Sequence, residues 1–260
     1  MAPQTRVYNN SGTLARAAAE RIAQIAEHAL SARGRFIVCL AGGSTPRATY
    51  EVLAAPEYGA MIDWTQTHVF FGDERCVPPT DRESNYRTAR DTLLSHVPVS
   101  LGNVHRIHGE MEPPAAAEQY EREMREFFQK RLGQQKPRFD LLLLGMGTDG
   151  HTASLFPGTP ILREKERWVA AHRVEKLGAW RVSLTFPALN AAANVLILVT
   201  GKDKSETLYR VFKDPPRPDF LPVQGIQPED GSLIWMLDEA ANSKLDPNPP
   251  LLSEDGSQLP

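Results

Sequence analysis

The sequence predicts an α/β fold: a mainly parallel sheet flanked by helices on both faces. Three observations carry that prediction. Short apolar runs recur along the chain, at Phe36–Leu40 (FIVCL), Thr67–Gly72 (THVFFG), Phe139–Leu144 (FDLLLL) and Asn194–Thr200 (NVLILVT). A strand buried on both faces reads as such a run. Helix-spaced segments lie between them, the alternation expected of a parallel sheet. Finally, the runs open into turns rich in glycine and charge, and in open α/β sheets ligands bind just beyond the carboxyl ends of the strands.

The elements follow in order. Leu14, Ala17, Ala18, Ile22, Ile25, Ala26 and Leu30 recur at helical spacing within Gly12–Ala32. Ser11 is placed to cap that helix and Gly34 to end it. Strand Phe36–Leu40 leads into Ala41-Gly42-Gly43-Ser44-Thr45-Pro46. Pro46 suits a first helical turn, with Ser44 or Thr45 as cap, and the helix runs to about Leu53. After strand Thr67–Gly72 come Asp73-Glu74-Arg75, a proline-bearing loop and a helical segment, Ser84–Leu94. Ala115–Leu132 reads as a helix of alternating charge. The run Phe139–Leu144 breaks at Gly145-Met146-Gly147 and delivers Asp149, Gly150 and His151 to a helix expected from about Thr152. Trp168–Ala170, Arg181–Thr185, Asn194–Thr200 and Leu233–Leu237 complete the strands, with a helix at Asp203–Phe212 and a proline-rich loop at Asp214–Pro228. Residues 1–241 read as one domain. The stretch 242–260, with Pro247, Pro249, Pro250 and Pro260 and little apolar content, is expected to be disordered.

Bulk composition narrows the function. Of 260 residues, 41% are hydrophobic and 23% charged, ordinary for a globular protein. The net charge of −3, with aromatics at 8% and not interleaved with basic residues, argues against a nucleic-acid partner. Cys39 and Cys76 have no CxxC spacing, so neither a disulfide framework nor a cysteine zinc site is expected. No signal-peptide pattern is seen at the start, and no run approaches the ~18 apolar residues of a membrane span. The expected setting is the cytoplasm, with no membrane partner.

Four motifs carry chemistry, each with a plainer alternative. In AGGSTP, Gly42 and Gly43 let the backbone curl around an anion, while Ser44, Thr45 and the helix N-terminus offer donors. It is equally a plain capped turn. In FFGDER, Arg75 has the fork geometry for a phosphate or carboxylate and Asp73 could position a donor; a surface ion pair at a strand end is the alternative. In GMGTDGH, His151 at a helix start would be held neutral and serve as general base, with Asp149 orienting its ring or a substrate hydroxyl. The alternative is a structural or capping histidine; a metal site is disfavoured because the motif offers one His and one Asp. Lys202 follows the carboxyl end of strand Asn194–Thr200 while Arg181 lies at a strand's beginning; both are candidate anion ligands, or ordinary solvated cations.

Taken together, these pieces resemble the 6-phosphogluconolactonase family, on the glucosamine-6-phosphate isomerase/deaminase-like scaffold. The matching segments are LAGGSTPRATYEVL (Leu40–Leu53), FFGDERCVPPTDRESNYRTARDTLL (Phe70–Leu94), FDLLLLGMGTDGHTASLFPG (Phe139–Gly158), RVSLTFPALNAA (Arg181–Ala192) and VLILVTGKDKSETL (Val195–Leu208). The related deaminases continue from Asp-Gly-His with a Phe-Asn-Glu-Pro run and carry Asp-Glu-Tyr after the second strand. Here Ala153-Ser154-Leu155-Phe156-Pro157 and Asp73-Glu74-Arg75 stand instead. The resemblance implies hydrolysis of 6-phospho-D-glucono-1,5-lactone to 6-phosphogluconate, the second step of the oxidative pentose phosphate pathway. On that reading His151 is the base, with Asp149 and Asp73 beside it. Gly42, Gly43, Ser44, Thr45, Arg75, Arg181 and Lys202 hold the substrate. No metal or organic cofactor is required, because the lactone is already a reactive ester, and no GxSxG elbow suggests an acyl-enzyme. The competing expectations are an amino-sugar-phosphate deaminase and a non-catalytic sugar-phosphate sensor. A monomer or weak homodimer is expected.

Overall fold

The apolar runs form the middle of a parallel sheet. In the computed structural model, which describes residues 4–246 and 249–257, the strands are β1 (Gln4–Tyr8), β2 (Phe36–Leu40), β3 (Thr67–Phe71), β4 (Asp73–Arg75), β5 (Leu141–Gly145), β6 (Val169–Val174), β7 (Ala179–Leu184), β8 (Asn194–Val199), β9 (Ser232–Asp238) and β10 (Leu251–Leu252). The main sheet runs β10-β1-β9-β8-β5-β2-β3, and every pairing in it is parallel. All five residues of β2 are buried, as are Leu141–Leu144 of β5 and Val195–Val199 of β8. Successive side chains point to opposite faces, so both faces of the central strands are covered. Chain order reverses at β2: β3 lies on one side of it, β5 and β8 on the other. A crevice therefore opens at the carboxyl ends of β2, β5 and β8.

Several local expectations are corrected. The first helix, α1 (Ser11–Arg33), is capped by Asn10, whose side chain accepts from Thr13 N at 2.9 Å, not by Ser11. It ends at Gly34 in the left-handed conformation, φ +66°. The helix after β2, α2 (Ser44–Leu53), has Gly43 at its cap position, with Ser44 and Thr45 inside the first turn. Strand β1 was not legible, since its first residues are exposed and only Val7 and Tyr8 are buried. Asp73–Arg75, given no secondary structure above, forms β4, antiparallel to β7, and with β6 it makes a second sheet in the order β4-β7-β6.

The helix expected after His151 does not form. Thr152 and Leu155 bridge across a tight turn, and Ala153 sits at φ +47°. The hydroxyls that would have served a helix start are used elsewhere: Thr152 Oγ1 donates to Gly145 O at 2.8 Å, and Ser154 Oγ to Asp73 Oδ2 at 2.7 Å.

The tail is also corrected. Residues expected to be disordered supply β10, where Leu251 and Leu252 pair in parallel with Val7 and Tyr8. Glu254 forms an ion pair with Arg16 of α1. An unpaired edge strand offers backbone donors and acceptors that composition does not reveal. Pro247 and Pro260 of that tail lie outside the described residues. Among the described residues, no helix is long and apolar enough to cross a membrane.

Candidate active site

Four chain segments converge on a cavity of about 280 Å³ at the crevice: the loop after β2, the loop after β5, the turn after β8, and β4. Each is held by contacts that the local sequence makes possible.

The loop after β2 is pinned by Tyr50 of α2. Its hydroxyl accepts from Ala41 N at 2.9 Å and donates to Ala41 O at 2.7 Å. Gly42 has no room for a side chain, because a Cβ would lie 2.0 Å from Asn85 Oδ1. Gly43 adopts φ +109°, a conformation that favours glycine. The loop thus brings Ser44 and Thr45 to the cavity wall with the N-terminus of α2 behind them. The first amides of a helix have no intrahelical acceptor and carry partial positive charge, which suits an anion. Thr45 Oγ1 lies 2.7 Å from Thr200 Oγ1, joining this loop to the end of β8.

The loop after β5 folds back on itself. Gly147 N donates to His151 O (2.9 Å) and Gly150 N to Gly147 O (3.0 Å). A Cβ on Gly147 would meet the His151 ring at 2.1 Å, so the glycine is what lets the imidazole lie over the turn. Asp149 Oδ1 is 2.5 Å from His151 Nδ1. A carboxylate only accepts, so the network assigns the proton to Nδ1 and leaves Nε2 with its lone pair. The ring stacks on Phe156, centroids 4.2 Å apart at 26°. Burial pushes the His151 imidazole down to about 4, with Lys204, Arg75 and Arg181 acting in the same direction and Asp73 opposing them. The neutral ring is therefore kept by burial and nearby cations, not by a helix end.

On β4, Asp73 is buried and both carboxylate oxygens are occupied, Oδ1 by Asn85 Nδ2 at 3.2 Å and Oδ2 by Ser154 Oγ at 2.7 Å. Ser154 is itself fixed. Its N donates to Ser183 Oγ at 3.2 Å, and its carbonyl accepts from His172 Nε2 at 2.7 Å. Glu74 next door is structural: it accepts from Arg75 N, Asn85 N, Tyr86 N and Ser84 Oγ at 2.7–3.0 Å. Arg75 lines the cavity and donates to Glu83 O at 2.6 Å.

Arg181 is the register partner of Arg75 across β4 and β7. Burial, then the neighbouring Arg75, pulls its guanidinium below the ordinary arginine value. It lines an adjoining lobe of about 270 Å³ that shares Asp73, Arg75, His151 and Ala153 with the main cavity. Among the described residues neither arginine is in an ion pair. Lys202 is the exception to the convergence. It is exposed and outside the cavity lining, where Lys204 stands instead. A short 3-10 turn over Lys202–Lys204 turns the second lysine, not the first, towards the site. Gly42, Gly43, Ser44, Thr45, Asp73, Arg75 and His151 all line the main cavity; Asp149 and Arg181 line the lobe. Sequence reasoning missed Lys204, Asn85 and Ser154. Each lies within a segment that carries the resemblance, but its contact is visible only across elements. Among the described residues, no three His, Cys, Asp or Glu side chains are grouped to hold a metal ion.

Residues 9–235 match the family described as glucosamine-6-phosphate isomerases/6-phosphogluconolactonase. The chain belongs to that family. It is 39% identical over 248 residues to a 6-phosphogluconolactonase of Synechocystis, covering 95% of this chain and all of the relative. A 6-phosphogluconolactonase structure from Trypanosoma cruzi superposes with a TM-score of 0.81 at 29% identity, covering 94% of this chain and 97% of the other. A monomeric glucosamine-6-phosphate deaminase shares the fold, with a TM-score of 0.76 at 17% identity, covering 93% and 99%. The two lactonases thus match this chain over 95% and 94% of its length.

Proposed function

We propose that this chain is a 6-phosphogluconolactonase that hydrolyses 6-phospho-D-glucono-1,5-lactone to 6-phosphogluconate, with His151 activating the water. The observation that carries this reading is His151, its Nδ1 held by Asp149, on the wall of a cavity that is also lined by the first turn of α2. His151 Nδ1 is bound to Asp149, so Nε2 takes a proton from water as the oxygen attacks the lactone carbonyl. The carbonyl oxygen becomes an oxyanion, and the ring C–O bond then breaks. His151 returns the proton to the departing ring oxygen, leaving a carboxylic acid that ionises. Ser44, Thr45, the α2 amides and Lys204 grip the phosphate, while Arg75 and Arg181 provide the remaining positive charge for phosphate and oxyanion. Asp73 orients the site from β4. The chemistry proceeds in one catalytic domain acting on a small molecule, in the cytoplasm, as a monomer or weak homodimer.

The test is His151→Ala. Enzyme-dependent lactone hydrolysis, followed by coupled oxidation of 6-phosphogluconate, should fall by about 10²–10⁴-fold, the usual span of general-base catalysis. Far-UV circular dichroism should be unchanged. A folded variant with native turnover would refute the assigned base. Robust ammonia release from glucosamine 6-phosphate would point to the deaminase activity instead.

A further inference from the structure

The 3-10 turn Glu175–Leu177 closes the β6–β7 hairpin, and Gly178 at φ +59° turns the chain back. From this turn Lys176 reaches across to the loop after β5. Its ammonium is ion-paired with Asp149 Oδ2, and it lies 4.8 Å from the centroid of the Phe156 ring. Asp149 and Phe156 are the two side chains that hold the His151 ring, one at Nδ1 and the other against its face. One cation, borne on the second sheet, therefore grips both supports of an imidazole borne on the first. Asp149 is bridged, with Oδ1 on His151 and Oδ2 on Lys176.

We propose that Lys176 is a positioning residue of the site: it locks Asp149 and Phe156 against His151 and draws part of the carboxylate's charge away from the ring. The assignment rests on His151 being the base, as read above. Its physical consequence has a definite sign. An unshared carboxylate beside Nδ1 stabilises imidazolium, and a nearby ammonium destabilises it. Removing Lys176 changes both in the same direction and makes His151 easier to protonate. The other charged groups facing His151 stay in place: Asp73 and Arg75 from β4, Arg181 from β7 and Lys204 from the turn after β8. An ordinary ion pair between half-exposed groups is worth little to stability and would leave the ring's titration unaltered. Lys176 is half exposed, so its effect on His151, not on folding, separates the two readings.

The experiment compares the full-length chain with Lys176→Met and Lys176→Arg. The His151 ring is titrated by ¹⁵N–¹H correlation on protein labelled with ¹⁵N-histidine, its signals assigned from their loss in His151→Ala. In Lys176→Met the midpoint should rise by about one pH unit, as expected for losing one close charge, and Lys176→Arg should restore it. The acid limb of kcat/KM for the phosphorylated lactone should move by the same amount, with kcat affected more than KM. Superimposable titrations of wild type and Lys176→Met would overturn the proposal, as would a shift that Lys176→Arg fails to reverse. A wild-type protein that leaves the lactone untouched would defeat the proposed function, while the titration still decides the role of Lys176.

Discussion

His151 and His68 make an instructive pair. Each imidazole is pushed down to about 4, and burial is the leading cause in both. Their surroundings differ. His151 faces a cavity, with a carboxylate on Nδ1 and Arg75, Arg181 and Lys204 nearby. His68 on β3 points into an aromatic cluster, 4.6 Å from the ring of Phe127. Its Nδ1 lies 3.2 Å from His105 Nε2, and His105 Nδ1 lies 2.6 Å from Glu123 Oε1. That chain of contacts holds the edge strand β3 to the segment after Val104, and His68 lines neither the main cavity nor its lobe. A depressed imidazole therefore marks a desolvated environment, not a function. Chemistry also needs a free lone pair, room for substrate and charge of the right sign.

Five substitutions sharpen the contrast, in falling order of effect. The largest is His151→Ala set against His68→Leu: the first should remove turnover by the margin given above, while the second should leave kcat/KM within about twofold, as expected for a residue outside the cavity. Equal losses would erase the distinction. Next, Asp149→Asn should cost about 10²-fold in kcat, because an amide can donate to Nδ1 and stabilise the wrong tautomer. Steady-state kinetics with unchanged thermal stability checks this. A smaller effect separates the two lysines: Lys204→Ala should raise KM about tenfold, the value of one charge-assisted contact, whereas Lys202→Ala should match wild type. A reversed pattern would return the phosphate to Lys202.

The smallest effect is on stability. Both histidines have folded-state values near 4, below the ordinary 6.5. As pH falls below 6.5 the unfolded chain takes up protons that the folded chain refuses. The stability that these two histidines confer thus declines between about pH 6.5 and 4. His68→Leu removes one of these groups and also strands His105 Nε2, at a cost of about 1 kcal/mol near neutral pH. Chemical denaturation across that range should show a lower plateau at pH 7 and a flatter acid slope than wild type. An unchanged slope would mean that His68 is not held neutral.

How much was legible varies by residue. Gly42, Gly43, Ser44 and Thr45 were readable because a strand, a flexible turn and a helix start occupy adjacent positions. His151 and Asp149 were readable for the same reason, two residues apart on one glycine turn. The pair His68 and His105 was not, since 37 positions separate them and aromatic packing brings them together. Lys176 was invisible because its partner, 27 residues earlier, belongs to another sheet. Trp180 on β7, exposed beside Arg181, and the edge strand β10 likewise gave no local signal.

The chain's own order of residues determined the buried strands, the glycine turns at their ends and the presence of His151 and Asp149 two residues apart on one of those turns. Those features follow from hydrophobic runs and from backbone freedom within a few residues. Tertiary structure decided which lysine faces the cavity, why the imidazole stays neutral, and what fixes Asp73 and Asp149 from behind. Each of those depends on desolvation and on charges brought close from distant segments, quantities that exist only once the two sheets have packed around the crevice.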